Sequence, residues 1–446
     1  MQRIMNKRDL QILKIDLPAI VTNITVPLLG LVDTAIVGHM GAAVYIGAIA
    51  VGSMMFNLVY WLFGFLRMST SGLTAQARGR RDFREMSRQL SQSVLVALVV
   101  SVVLLLLQWP LYQLLLWLIG PTADVRPLVK VYFRIVIWGA PATLTLYALS
   151  GWYIGMQNTR TPMVISIIQN VVNIVASLFF VYSVGMKVSG VAFGTVIAQY
   201  AGLLVGVVFL KRYYWRHLEN HGNWFLIFDR IKKSAPVILS SQFSISGALF
   251  LRTLCLVAVN LYFTSAGARQ GAEILAVNTL LMQLYLLFSY VMDGFAYAGE
   301  ALGGKFWGAK DVRAFKSVVR HLFLWGALMT ALFTAIYVFG GMPFLRLLTD
   351  NRHVVAASEG YVWWAYLIPV AGVAAFIWDG LYIGTTHIRG MLISSAIASI
   401  AFFATAIYLM PYFGNQALWL AMIVFLAMRG IVQTYLALSF ELRLSR

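Results

Sequence analysis

Leu17–Val37 reads LPAIVTNITVPLLGLVDTAIV, an apolar run that contains two prolines, Pro18 and Pro27, and one acid, Asp33. The run is long enough to cross a bilayer as a helix. A carboxylate in hydrocarbon is costly, so it is placed on an interior or watery face and marks an ion or substrate path. The prolines loosen the helix on which that acid sits. This is the pattern expected where a protonation or cation-binding event bends a helix.

The rest of the chain fits a membrane setting. Its 446 residues are 60% hydrophobic and only 11% charged, with a mean hydropathy of +0.79, against roughly 25% charged in soluble domains. A single cysteine, Cys255, excludes an intramolecular disulfide and argues against a metal-thiolate role. The basic start, MQRIMNKRDLQILKID, precedes an apolar run without an A-x-A cleavage pattern, which suits a retained first helix. The net charge of +18 sits mostly in short loops between apolar runs, as the positive-inside rule describes, and not in a nucleic-acid-binding patch.

Twelve apolar runs are expected as transmembrane helices, at about 17–38, 46–75, 90–119, 130–157, 163–184, 188–210, 235–264, 274–303, 321–348, 356–386, 391–410 and 416–440. Arg78, Arg80, Arg81, Arg84 and Arg88 follow the second run; Lys211, Arg212, Arg216, Arg230, Lys232 and Lys233 occupy the centre; Lys305, Lys310, Arg313, Lys316 and Arg320 follow the eighth. The alternate loops carry far fewer, which places the basic loops and both termini in the cytoplasm.

The chain also repeats itself. Gly151-Trp152-Tyr153-Ile154-Gly155 returns 229 residues later as Gly380-Leu381-Tyr382-Ile383-Gly384, and the same interval joins Gly79 to Gly308, Asp82 to Asp311, Arg160 to Arg389 and Gly185 to Gly414. Nearer the start the match slips, as Ala50-Val51 against Ala276-Val277, so an indel intervenes. The expected fold is an all-α integral membrane protein of two parallel six-helix bundles. A cytoplasmic N-terminus (1–16) precedes an N-lobe (17–210), a linker (211–234), a C-lobe (235–440) and a short tail (441–446). Parallel repeats of this kind are a transporter plan with the substrate site between the halves.

Four stretches carry a family resemblance: ITVPLLGLVDTAIVGHMG in the first helix, RMSTSGLTAQARGRRD closing the second, GWYIGMQNTRTP closing the fourth and MDGFAYAGEALGGKFWGAKD in the eighth. Together they resemble the multidrug and toxic compound extrusion (MATE) family, in particular its DNA-damage-inducible DinF branch. The resemblance implies a secondary antiporter that exchanges protons or sodium for amphipathic, often cationic, compounds. It further implies a V-shaped pair of lobes with alternating access, in the inner membrane of a bacterium. By the same resemblance Asp33 matches the first-helix aspartate of the N-lobe cation or proton site, and Pro18 the proline at which that helix bends.

The residues supply partners for that acid. Ser166, Asn170, Asn173 and Ser177 lie on one stripe of the fifth helix, and Thr195 with Gln199 on one stripe of the sixth. Such stripes also serve plain interhelical hydrogen bonding. The resemblance raises Asn173 and Thr195, which fall where the family's site has an Asn and a Thr. Ser177 departs from it, standing where many relatives carry a second acid. One carboxylate with neutral oxygens holds sodium less well than two, whereas a lone desolvated acid is pushed toward neutrality. Proton coupling is therefore favoured over sodium, and no other cofactor or metal is expected. Arg67, on the second helix, differs from Asp33 in depth by about 8 Å, so the two are not paired by default.

In the C-lobe the charged residues are Asp293, Asp379, Glu300, Arg252 and Arg429. Arg429 is about 20 Å in from the outer end of its helix and Asp379 about 10 Å in from the cytoplasmic end of its own, so their depths agree. That pair is expected, with Arg252 to Asp293 as a looser second. Paired, these acids are structural clamps and Asp33 carries coupling alone; unpaired, Asp293 or Asp379 becomes a second coupling site.

Substrate recognition is less legible. Met54, Met55, Tyr60, Trp61, Met282 and Tyr285 suit an adaptable apolar cavity or equally plain packing. Ala75-x-x-x-Gly79 and Gly304-x-x-x-Gly308 suit close helix contacts. A lipid-linked oligosaccharide flippase would need several cavity cations in the N-terminal half, which has only Arg67 deep in a span and Arg134 nearer an end. An enzyme is disfavoured, since the six histidines are scattered and no phosphate loop or H-E-x-x-H is present. The expected partners are small amphipathic molecules and the bilayer, with a monomer as the default.

Overall fold

In the computed structural model, side chains are described for residues 7–25, 36, 44–214, 245–349 and 351–438, and helical backbone also for 26–35, 37–38, 43, 215–221, 224–244 and 439–444. The described chain is helical throughout, without a strand. The first helix, α1, is Lys7–Gly38. Five more complete the N-terminal half: α2 (Val44–Gly79), α3 (Phe83–Leu106), α4 (Arg126–Gly155), α5 (Arg160–Ser183) and α6 (Val188–Tyr214). The second half holds α7 (Ile245–Arg269), α8 (Ala272–Gly308), α9 (Val312–Leu348), α10 (Val362–Thr385), α11 (Ile388–Phe413) and α12 (Asn415–Leu438). Among the described residues α2 to α12 are long and apolar enough to cross a membrane, and with α1 they make the twelve-helix plan. Leu106, Trp117, Phe339 and Tyr412 are more than three-quarters exposed, as side chains facing lipid are.

Several boundaries depart from the expected spans for identifiable reasons. The third run was expected to continue to 119, but α3 ends at Leu106 and a separate helix covers Gln108–Ile119. Pro110 has no N–H to give the Leu106 carbonyl, so the ladder stops there. Likewise α2 is interrupted after Leu62, where the Phe63 and Gly64 amides turn back to the Tyr60 and Trp61 carbonyls, each at 3.1 Å. The stretch 211–234, expected as a loop, is entered by helix from both sides, Val188–His221 and Trp224–Arg269. Residues 211–221 contain neither Gly nor Pro, so nothing ends the helix before Gly222. Helix α1 runs through both Pro18 and Pro27.

The 229-residue repeat recurs in backbone conformation. Arg81 and Lys310 take φ of 58° and 55°, Gln157 and Thr386 both take 58°, and Gly185 and Gly414 take 76° and 54°. Immediately after the first pair, Asp82 caps α3 by accepting the Glu85 amide at 3.0 Å, and Asp311 caps α9 by accepting the Ala314 amide at 2.9 Å. The glycines of the GxYIG motif serve close crossings. A Cβ at Gly155 would stand 2.6 Å from the Ser71 carbonyl of α2, and one at Gly384 would stand 2.6 Å from the Glu300 carbonyl of α8. Ala75 and Gly304, one turn on, are the next backbone neighbours at the same two crossings. Of the two small-residue spacings, Ala75 and Gly304 therefore mark helix contacts.

The chain divides into two compact units. One comprises Leu17–Gln242, the other the described residues of Met1–Asp16 together with Phe243–Arg446. The first ten residues of α1 thus go with the second unit. Arg8 lies over the Phe306 ring at 4.5 Å, and Asp9 accepts the Trp325 indole N–H at 3.1 Å. In the first unit, Phe56 stacks on Phe133 at 5.1 Å at the centre of the core, with Tyr112 and Tyr132 against them.

Candidate functional site

The two units hold two distinct polar sites. In the N-terminal one, the stripe on α5 splits its bonds between neighbours. The Ser166 and Thr25 hydroxyls share a hydrogen bond at 3.0 Å, and the Asn170 amide donates to the Thr25 carbonyl of α1 at 2.9 Å. One turn on, Asn173 donates to the Thr195 hydroxyl of α6 at 3.2 Å, and Thr195 in turn donates to the Val191 carbonyl at 3.0 Å. Asn173 and Ser177 are fully buried, and Asn173 Oδ1 and Ser177 Oγ have no partner among the described residues. Gly194 permits this approach, since a Cβ there would run into Ser177 Oγ. Just beyond, α5 passes into a π-helical turn at Phe179–Ser183, a distortion common near functional sites. The side chains of Asp33 and Pro27 lie outside the described residues. Pro18 lies within them, and its carbonyl accepts the Thr22 hydroxyl at 2.9 Å.

The second site is charged and dense. Asp379 on α10 is 8% exposed and is held from three directions. Arg429 of α12 donates to its Oδ2 at 2.5 Å, Arg252 of α7 donates to the same oxygen, and Gln433 of α12 donates to Oδ1 at 2.6 Å. The pairing of Arg429 with Asp379 inferred from depth is present. Arg252, expected on Asp293, bonds Asp379 instead. The reason is azimuth: depth says how far along its axis a side chain lies, not which neighbour it faces. Asp293 on α8 is half-buried and within electrostatic reach of Arg252 and of Tyr285. Glu300 is buried in a π-helical turn at Gly299–Gly303, packed against α10.

Of the apolar candidates, Met55 and Tyr60 are core residues, Met54 and Trp61 are exposed, and Met282 and Tyr285 are half-buried. Tyr285 lies within electrostatic reach of Arg429, Asp293, Asp379 and Arg252. Gln433, not among the residues expected here, lies one turn from Arg429 on the same face of α12. Asp16, in the segment expected as the cytoplasmic N-terminus, is 1% exposed, and its Oδ1 is unpartnered among the described residues. Burial pushes its carboxyl up to about 8. The signal was in the sequence: Ile12, Ile15, Asp16 and Ala19 form one helical stripe, and all four are buried.

Comparison with known proteins agrees with this arrangement. The MatE family model matches the chain twice, over residues 18–179 and 248–410, once in each repeat. The chain is 37% identical over 415 residues to DNA damage-inducible protein F of Escherichia coli strain K12, covering 93% of this chain and 89% of that one. It is 27% identical over 294 residues to the probable multidrug resistance protein NorM of Acinetobacter baylyi, covering 64% of each. Its fold matches a MATE crystal structure in the bent conformation with a TM-score of 0.86 at 16% identity, covering 99% of this chain and 97% of that one. The Vibrio cholerae MATE transporter VcmN in its bent form gives 0.84 at 18%, covering 98% and 97%. With the family model on both halves and this likeness along nearly the whole chain, the protein is a multi-pass membrane protein that belongs to the MATE transporter family, in its DinF-like branch.

Proposed function

We propose that the protein is a proton-coupled antiporter that exports amphipathic, often cationic, compounds across the cytoplasmic membrane by alternating access, with both termini in the cytoplasm. The observation that carries the coupling assignment is the occupation of Asp379 by two guanidiniums and an amide. A carboxylate held this way has both oxygens engaged by protein donors, and protonating it would strand two buried cations. With Asp379 engaged in this way, coupling is assigned to α1 rather than to Asp379, because Asp33 shares a helix with Thr25, and Thr25 is bonded to the α5 stripe that ends at Asn173 and Ser177; Asp293 is the alternative carrier. The unpartnered oxygens of those two residues are what a proton carrier on a neighbouring helix would use. With Ser177 in place of a second acid, the oxygen set suits a proton better than sodium. The multidrug-resistance name of the NorM relative supports the substrate class. The positive-inside pattern supports the orientation.

The test is efflux of a fluorescent cationic dye in everted vesicles, comparing wild type with Asp33→Asn under an imposed proton gradient and then a sodium gradient. Loss of pH-driven transport in the variant, with sodium inert in wild type, is the expected result. Transport driven by sodium alone would overturn the choice of ion. Unchanged transport in the variant would move coupling away from Asp33.

A further inference from the structure

The short helix Gln108–Ile119 and the start of α4 pack together at one end of the unit Leu17–Gln242, and each divides by face. On the short helix Tyr112 and Leu115 are buried in the core, while Trp109, Leu114, Trp117 and Leu118 are exposed. On α4 Val129, Tyr132, Phe133 and Val136 are buried, and Arg126, Lys130 and Arg134, spaced i, i+4, i+8, are all exposed along one stripe. Tyr112 joins the two helices: its ring lies 5.2 Å from that of Phe133, and its hydroxyl donates to the Arg126 carbonyl at 3.4 Å. The guanidiniums of Arg126 and Arg134 are both within electrostatic reach of that phenol, so the cationic stripe runs alongside the short helix.

Length fixes the depth of this platform. Residues 135–155 of α4 carry no charge and rise about 31 Å, which matches a hydrocarbon core of about 30 Å. Residues 89–106 of α3 are also uncharged and rise about 27 Å before the helix breaks. Both helices therefore place Gln108–Ile119 and Arg126–Arg134 at the level of the lipid head groups, the outer ones in the orientation proposed above.

Charge narrows what covers the platform. Cations are expected to be sparse at that end of the spans, yet three stand on one stripe. Asp124 is the one acid between Gln89 and Tyr214, and with it counted in full the end carries a net +2. Neither Asp124 nor the three cations form an ion pair among the described residues. Arg126 Nε donates to the Pro121 carbonyl at 3.0 Å, which steadies the guanidinium and leaves its terminal N–H donors for a phosphate oxygen. Exposed indoles beside such cations suit the boundary between acyl chains and head groups, where one end of the ring is apolar and the other wet.

From these observations we infer that the platform is a binding surface for an anionic phospholipid, with Arg126, Lys130 and Arg134 on the phosphate and the Trp109–Trp117 face on the upper part of the acyl chains. It shares no residue with the polar stripe on α5 or with the Asp379 network.

The experiment uses the full chain in phosphatidylcholine nanodiscs that contain a minor fraction of lipid brominated high on the acyl chain, either phosphatidylglycerol or phosphatidylcholine. Quenching of the two exposed indoles is read as the difference between wild type and Trp109→Phe/Trp117→Phe. A cation near an anionic membrane surface is worth roughly fivefold in affinity, so brominated phosphatidylglycerol is expected to quench this component about twofold or more beyond brominated phosphatidylcholine. Arg126→Gln/Lys130→Gln/Arg134→Gln should bring the two lipids to equal quenching. Arg80→Gln/Arg84→Gln/Arg313→Gln removes as many exposed cations elsewhere and should keep the preference. Equal quenching in wild type overturns the inference, as does a preference that survives the first triple substitution or is lost equally in the second. Quenching by neither lipid would mean that water or a second copy covers the face, which also overturns it. Loss of the preference on adding inorganic phosphate, but not chloride at equal ionic strength, would make the ligand a free phosphate and overturn the lipid assignment. No gradient is applied and the nanodisc offers the same lipids on both faces, so failure here is distinct from failure of the coupling and orientation proposed above.

Discussion

Asp379 shows how much one residue can commit a lobe. Its two oxygens take three donors from two helices, so the side chain ties α7 and α12 to α10. Replacing it with Asn leaves two buried guanidiniums without the carboxylate that both of them bond. Breaking a buried pair costs ~3–5 kcal/mol. Asp379→Asn is therefore expected to lower the melting temperature and the yield of folded protein by size-exclusion chromatography, while Asp379→Asn with Arg429→Gln recovers part of both. A melting temperature equal to wild type would show that the network is not a clamp. Asp16 makes a prediction of opposite sign. Its folded-state carboxyl is raised to about 8 by desolvation, so its neutral form is the one the fold accommodates. The stability associated with it is fully present below about 4, declines as the unfolded chain ionises, and is lost as pH rises through about 8. Asp16→Asn should flatten the stability profile between those limits and stabilise the protein above pH 8 in denaturation curves. A profile parallel to that of wild type would mean that Asp16 ionises freely.

Helices in this protein meet through backbone at the GxYIG motifs, and it is here that the internal repeat acquires physical meaning. Gly155 and Gly384 each face a carbonyl at the distance an added Cβ would reach, 2.6 Å in both. The residues they face, Ser71 and Glu300, are themselves 229 apart. Gly155→Ala and Gly384→Ala must push α2 from α4 and α8 from α10, at a cost of ~1–3 kcal/mol for such overpacking. Gly247→Ala is the control, because nothing lies within 4 Å of its Cβ position, and it should be neutral or stabilising. Melting temperatures of the three variants check this: comparable losses at the two motif glycines are expected, and a loss at Gly247 as large as theirs would sink the account. The motif and its spacing were legible as sequence. The breaks at Leu106 and Leu62 were not, because a run of apolar residues reports hydropathy and only the hydrogen-bond ladder reports where Pro110 and Gly64 interrupt it.

On the scale of the whole molecule, the start of α1 joins the last half of the chain. Arg8 and Asp9 bond to Phe306 and Trp325 within the same compact unit. Deleting residues 2–16 should therefore accelerate proteolysis within 245–438 more than within 44–214, as read by mass spectrometry of limited digests. Equal acceleration in both would assign the segment no such role. By itself the sequence determined the twelve apolar runs, the two-fold internal repeat and the family, because hydropathy, spacing and recurrent motifs are properties of linear order. It also marked which acids and bases fall inside apolar runs; of these Asp379, Glu300, Arg252 and Arg429 are buried, while Asp293 and Arg67 are half-buried. Depth along the helices sufficed to match Arg429 with Asp379. Only the tertiary structure decided that Arg252 turns to the same carboxylate and that Gln433 completes it. Those outcomes depend on the rotation of each helix about its axis and on which neighbour it packs against, and neither is encoded in any one run of residues.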